Sequence, residues 1–227
     1  MTDDDLAMPA FAPPPPGAEL EAELGGIKPV AMRNPLRQLA VLFGASLIYG
    51  AGVLALVSTR PDMGELPVMW MVGGAIAWAL GFVVPLYLAL IPAEGSMMPR
   101  RRLAAGAAII AALLFVVMGM MIHPNGPSSW QYGAERFVHG HPCLELGLAT
   151  ALVPVILGAV FLRGALPVGS RWIAAALGAG GGSLGGLVLH FHCRVTDPMH
   201  TGLVHAGVVT VAALLAALLV PRATDLR

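Results

Sequence analysis

The chain has 227 residues, of which 57% are hydrophobic and only 11% charged. Soluble domains carry about 25% charged residues, so most of this surface cannot face water, and the composition reads as one integral membrane domain rather than a soluble one. A formal net charge of +0 gives no argument for direct nucleic-acid binding, and 2 cysteines are too few for a disulfide-stapled scaffold.

The N-terminal arm, residues 1–37, is polar. Residues 3–5 are aspartates, and no early apolar stretch follows a basic start, so the arm does not read as a cleaved signal peptide. Pro13 to Pro16 with Gly17 form an extended breaker. After it, Leu20, Leu24 and Ile27 fall at i, i+4 and i+7, the apolar stripe of a short helix. Glu19, Glu21 and Glu23 make that helix acidic, and Gly25 and Gly26 end it. So short a helix is marginal alone. It has the form of a segment that folds on a partner, with its stripe in a groove; Glu19, Leu20, Glu23, Leu24 and Ile27 are the candidate docking residues. A basic partner surface, such as a DNA-binding protein presents, suits it. The plain alternative is a solvated linker.

Six apolar runs follow, about 39–57, 68–91, 103–122, 144–162, 172–191 and 203–220. Each matches the roughly 20 residues that a helix needs to cross a bilayer. Barrel strands would be about half as long and alternate in polarity, so the expected fold is all-α with six transmembrane helices. They fill residues 38–221, and 222–227 are a short tail. Pro85 and Pro154 interrupt the second and fourth runs. In the fifth, Gly178, Gly182 and Gly186 recur every four residues, the small-residue pattern that lets helices approach closely in lipid.

Basic residues in short loops set orientation. Lys28, Arg33, Arg37, Arg100, Arg101, Arg102, Arg163, Arg171, Arg222 and Arg227 fall on one side, and only Arg60, Arg136 and Arg194 on the other. Both termini are therefore expected in the cytoplasm. All 7 histidines and both cysteines then fall in or beside the outer loops near 123–143 and 192–202. The spans carry no mid-bilayer charge set of the kind that marks transport routes. No GxSxG, Walker or HExxH motif is present, and the chain is not expected to be an enzyme.

Cys143 precedes Arg163 by about 20 residues and Cys193 follows Arg171 by about 22, so at about 1.5 Å per residue the two thiols reach similar heights on an antiparallel hairpin. His139 precedes Cys143 by four positions and His190 precedes Cys193 by three, both same-face helical spacings. Three readings stand: a redox-active or bridged pair, a zinc-like or other soft-metal site, or inert helix-end residues. For a metal, Cys143, Cys193, His190 and His192 are the first-choice ligands. His139, His141, His200 and His205 are substitutes.

Several segments resemble the NrsF (negative regulator of sigma F) type of integral-membrane anti-sigma factor: HPCLELGLATALVP, FLRGALPVG and GLVLHFHCRVTDPMHTGLVHAG, with a weaker match at Arg60-Pro61-Asp62. The cysteine before span four (Cys143), the pair His192-Cys193 after span five, and His205 at the start of the last span match the family pattern. The resemblance implies a protein that holds an extracytoplasmic-function sigma factor at the bacterial inner membrane. It also implies release on an outer stress signal, metal or oxidative, sensed through Cys143, Cys193 and nearby histidines. The arm would carry the sigma-binding segment. The chain departs from the pattern in a longer, proline-interrupted arm and in its extra histidines, His139, His141, His190 and His200. The rival expectation is a periplasmic zinc- or copper-binding membrane protein or transporter. A third is a small thiol or quinone oxidoreductase, which lacks a CxxC motif and a cofactor signature.

Overall fold

The computed structural model of the chain describes Gly17 and residues 34–91, 99–121, 140–163 and 171–224. The candidate docking stripe (Glu19, Leu20, Glu23, Leu24 and Ile27) and His139 lie outside the described residues. From Asn34 onward the chain groups as one unit. Among the described residues it is all helical: α1 (Pro35–Val57), α2 (Val68–Leu90), α3 (Arg100–Met121), α4 (His141–Leu162), α5 (Arg171–His192), a π-helical segment (His200–His205) and α6 (Ala206–Thr224). The π segment runs straight into α6, so six helices are long and apolar enough to cross a membrane.

Local chemistry sets the ends. Helix α1 begins four residues before the apolar run because Pro35 suits a first helical position and Asn34 caps it, its side chain accepting from Arg37 N–H at 3.0 Å. Pro85 and Pro154 sit inside α2 and α4 and are buried. Arg100, at the start of α3, donates to the last-turn carbonyls of α2, Leu88 O and Ala89 O. This is the favoured side chain for the negative end of a helix. Ser183 and Thr150, both fully buried, donate back to Ala179 O and Leu146 O, so neither hydroxyl is left unpaired in the apolar interior.

Helix α5 is the axis of the bundle and contacts each of the other five helices. Its apolar stretch is 89% buried, against 17–28% for α1 to α4 and 50% for the last span. Its glycines are the reason. Gly178 and Gly182 lie on the backbone of α6, where a Cβ on Gly182 would meet Val209 Cα at 2.7 Å. Gly181 and Gly185 face α4, against Ala151 O and Gly147 O. Gly186 receives the Trp78 ring of α2, which stacks on Phe115 of α3 at 3.7 Å between centroids. The outer helices turn large apolar residues away from this axis: Leu56, Met69 and Ile48 are 87%, 85% and 76% exposed. In water so much apolar surface would drive association; facing lipid it costs nothing.

A side chain at an α5 contact must push whole helices apart. Gly182→Ala is expected to cost about 1–3 kcal/mol, the usual range for overpacking. Gly106→Ala is the control: its Cβ would meet nothing within 4 Å, and removing a helical glycine gains about 0.5–1 kcal/mol. Thermal unfolding in detergent should lower the midpoint for the first and leave the second unchanged or raised.

Candidate metal and thiol centre

Cys143 lies in the first turn of α4, entered through Gly140 and Pro142. Cys193 follows the last residue of α5 and extends its hydrogen bonding by one step, donating to Leu189 O at 2.8 Å. The hairpin geometry therefore delivers both sulfurs to one end of the bundle, with Sγ atoms 3.7 Å apart and both thiols free. A disulfide would hold them at about 2.05 Å. The observed spacing is that of a thiol–thiol hydrogen bond, and it also matches the roughly 3.8 Å between two sulfurs bound at about 2.3 Å to one tetrahedral zinc.

The histidines come from the chain that follows. Asp197 Oδ1 accepts from His200 N–H at 3.0 Å, and Thr201 Oγ1 bonds both Asp197 O and Gly119 O at 2.9 Å. These contacts pin the π segment to the end of α3. The pinning is close: a Cβ on Gly119 would meet Gly202 Cα at 2.5 Å. In an α-helix, positions five apart point about 140° away from each other. The wider π turn brings them toward one face. His200 and His205 thus stack edge-on at 4.9 Å, and His200 Nε2 lies 3.3 Å from Cys193 Sγ.

Cys143, Cys193, His200 and His205 offer four ligand atoms that all lie within 4.8 Å of one another. Three of the four residues are buried. His205 Nε2 is a buried nitrogen with no hydrogen-bond partner among the described residues, a cost that a bound cation or proton donor removes. Two thiols and two imidazoles are a zinc-type donor set, so the residues fit a soft metal ion. The hydrogen bond from Cys143 and the imidazoles of His200 and His205 hold the Cys193 thiol well below its ordinary value, against the burial that alone would raise it.

Two histidines expected as first-choice ligands take other partners. His190 is buried on the α2 side of α5, donating to Met71 O at 3.0 Å with its ring 4.7 Å from that of Trp70. His192 Nδ1 donates to Ser58 O at 2.8 Å. Spacing of three before Cys193 sets a position along α5 but not which neighbour the ring meets. His141 is the exposed first residue of α4.

Beside the centre sits a constellation that spacing did not single out. Arg60 N–H donates to Phe191 O at 2.8 Å, and its guanidinium grips Asp62 through Nε and Nη2, both at 2.8 Å. Nη2 also reaches Arg194 O at 3.3 Å, and the cation lies 5.5 Å from the Trp70 ring centre. That hydrogen-bonded pair holds the Asp62 carboxyl below the usual carboxylate range. Two signals were available in the sequence: an arginine on the side of the chain that is poor in them, and the Arg60-Pro61-Asp62 match to the family pattern. Arg60, Trp70, Trp78, Phe115, His190 and His205 help to line a cavity of about 190 Å³ that shares His205 with the metal and thiol centre.

No curated protein and no solved structure matches the chain. The family described as "Negative regulator of sigma F" matches it over residues 25–225, a span that holds all six helices whole and every residue of the centre. On that coverage the chain belongs to the NrsF, negative regulator of sigma F, family.

Proposed function

We propose that this chain is a membrane-bound anti-sigma factor without enzymatic activity. It holds an extracytoplasmic-function sigma factor at the bacterial inner membrane and frees it when the Cys143–Cys193–His200–His205 centre captures a soft metal ion or is bridged by oxidation. The family supports the client class. The observation that carries the sensing half is the gathering of four soft ligand atoms within 4.8 Å. The uneven distribution of arginine and lysine supports a topology with both termini inside and the centre outside. The arm, with Leu20, Leu24 and Ile27 flanked by Glu19 and Glu23, is the proposed sigma-binding segment.

The coupling follows from the packing. Cys193 directly follows α5, the helix that touches every other span. Closing the sulfurs from 3.7 Å to about 2.05 Å draws α4 and α5 together at one end. Metal capture instead locks the π turn that both imidazoles require. Moving a two-state equilibrium from 1:99 to 99:1 takes about 5.5 kcal/mol. A disulfide supplies about 2–4 kcal/mol, and a structural zinc about 10–16 kcal/mol. Only the part of either energy that differs between the two states moves the switch, and metal capture offers the larger reserve.

The centre by itself also favours a second reading, a metal-handling membrane protein or transporter. Against it, the described spans carry charged side chains only toward their ends, as at Arg37, Arg100, Glu145, Arg171 and Arg222, and transport routes are normally marked by ionisable groups at mid-depth.

Purified wild-type protein incubated with zinc should retain about one ion per chain after desalting, and Cys193→Ser or His200→Ala should lower the affinity by at least tenfold. In cells, a sigma-dependent reporter should lose induction in both Cys143→Ser and Cys193→Ser; normal induction in both removes the centre from the mechanism. Separately, Leu20→Asp with Leu24→Asp should abolish co-purification of the sigma factor from detergent extract. Retention at full strength would show that the docking stripe lies elsewhere. For topology, a cysteine-directed impermeant label should reach Cys143, the half-buried thiol, from the periplasmic face only.

A further inference from the structure

The cavity beside the centre has the features of a ring-binding site. Its walls are aromatic on several sides: Trp70 and Trp78 from α2, and Phe115 from α3. Gly73 and Ala77 lie one turn apart on the same stretch of α2 and leave that wall without bulk. At about 190 Å³ it is somewhat larger than the roughly 150 Å³ cavity that takes benzene, the right size for one substituted ring. Its rim includes Met69, 85% exposed on the lipid-facing side of α2, so a ligand with an apolar tail can leave the tail in the bilayer.

The polar groups are few and placed for a neutral ligand. Arg60 is 3% exposed, and its charge is already balanced by Asp62. Its Nε and Nη2 are engaged, and Nη1 makes no hydrogen bond among the described residues. An anion would meet a cation already neutralised, whereas a carbonyl oxygen needs only the remaining N–H donors. The rings of His190 and His205 also line the cavity, and His205 is a member of the thiol centre as well. A flat, uncharged, membrane-soluble ring with polar oxygens fits these donors, and the pair of free thiols 3.7 Å apart is reached through His205, the residue that the cavity and the centre share.

We propose that the cavity binds a quinone-class ring and that the bound quinone oxidises the Cys143–Cys193 pair. The step balances: the two S–H bonds break, one S–S bond forms, and the two electrons and two protons released convert the two quinone carbonyls to the hydroxyls of one hydroquinone. Each protein turns over once, so this is a titration of the membrane quinone pool by the sensor rather than catalysis. The proposal deepens the anti-sigma reading, on which its biological consequence rests, by naming an oxidant for the centre.

The test uses full-length, metal-free, reduced protein in detergent without oxygen, and a fully substituted benzoquinone carrying a decyl chain, so that thiols cannot add to the ring. Free thiols are counted by alkylation and mass, and quinone reduction by absorbance. The expected result is one hydroquinone per disulfide. In Gly73→Leu/Ala77→Leu, which fills the cavity, the rate should fall at least tenfold, while diamide, a bulk thiol oxidant, oxidises this variant and wild type alike. Should that variant fold poorly, wild type supplies a second readout: the redox-inert dimethyl ether of the same hydroquinone should inhibit saturably. Survival of the thiols, an equal rate in the filled variant, or no inhibition by the ether overturns the proposal. The assay contains no sigma factor, so its failure leaves the release mechanism standing, and a failure of release in cells leaves this reaction untouched.

Discussion

The backbone-to-backbone approach of α5 to its neighbours is the contact on which the rest of the molecule depends. In lipid there is no hydrophobic gain from pressing one apolar helix on another, so association rests on packing and on the few polar contacts available. Gly178 and Gly182 against α6, and Gly181 and Gly185 against α4, remove the side chains that would hold the axes apart. This packing fixes the register of α5 relative to its neighbours. Because Cys193 follows α5 directly and Cys143 opens α4, that register also fixes where the two sulfurs meet.

A second layer of contacts holds the thiol end of the bundle. The connection between α1 and α2 folds over the end of α5, with Arg60 and His192 bonding to Phe191 O and Ser58 O respectively. A guanidinium at the carboxyl end of a helix meets the negative end of its dipole. Burying that charge is tolerable because Asp62 pairs with it through two short hydrogen bonds. The result is a frame in which the α1–α2 connection, α4, the end of α5 and the π segment all converge on a few side chains. A change in the separation of the sulfurs is therefore transmitted to four parts of the chain at once.

The π segment gives the centre its selectivity of state. It is held by Asp197 and by Thr201 on Gly119, and it alone lets two histidines five positions apart serve one site. Relaxing it to an α-turn would turn His200 or His205 away and rotate the rest of α6 against the glycine face of α5. The aromatic cavity adds a lipid-facing entrance to the same end of the molecule. Metal, thiol and ring chemistry would then share one imidazole, His205.

The number of helices, their approximate limits and the packing role of the Gly-rich run were set by the sequence alone, because a bilayer demands about 20 apolar residues per crossing and lipid-borne helices meet through small side chains. The convergence of Cys143 and Cys193 was also legible, since equal lengths of helix on either side of a short connection bring two positions to one height. Which imidazoles join them was not. Spacing before each cysteine favoured His139 and His190, but side-chain partners depend on the rotation of α5 among five neighbours, and that rotation turns His190 to Met71 and Trp70. His200 and His205 meet the thiols only because contacts distant in sequence, from Gly119 and Asp197, impose a turn of unusual width. Arg60 with Asp62, and the cavity they border, are likewise products of tertiary structure: no local pattern records that a loop between the first two spans will close over the end of the fifth.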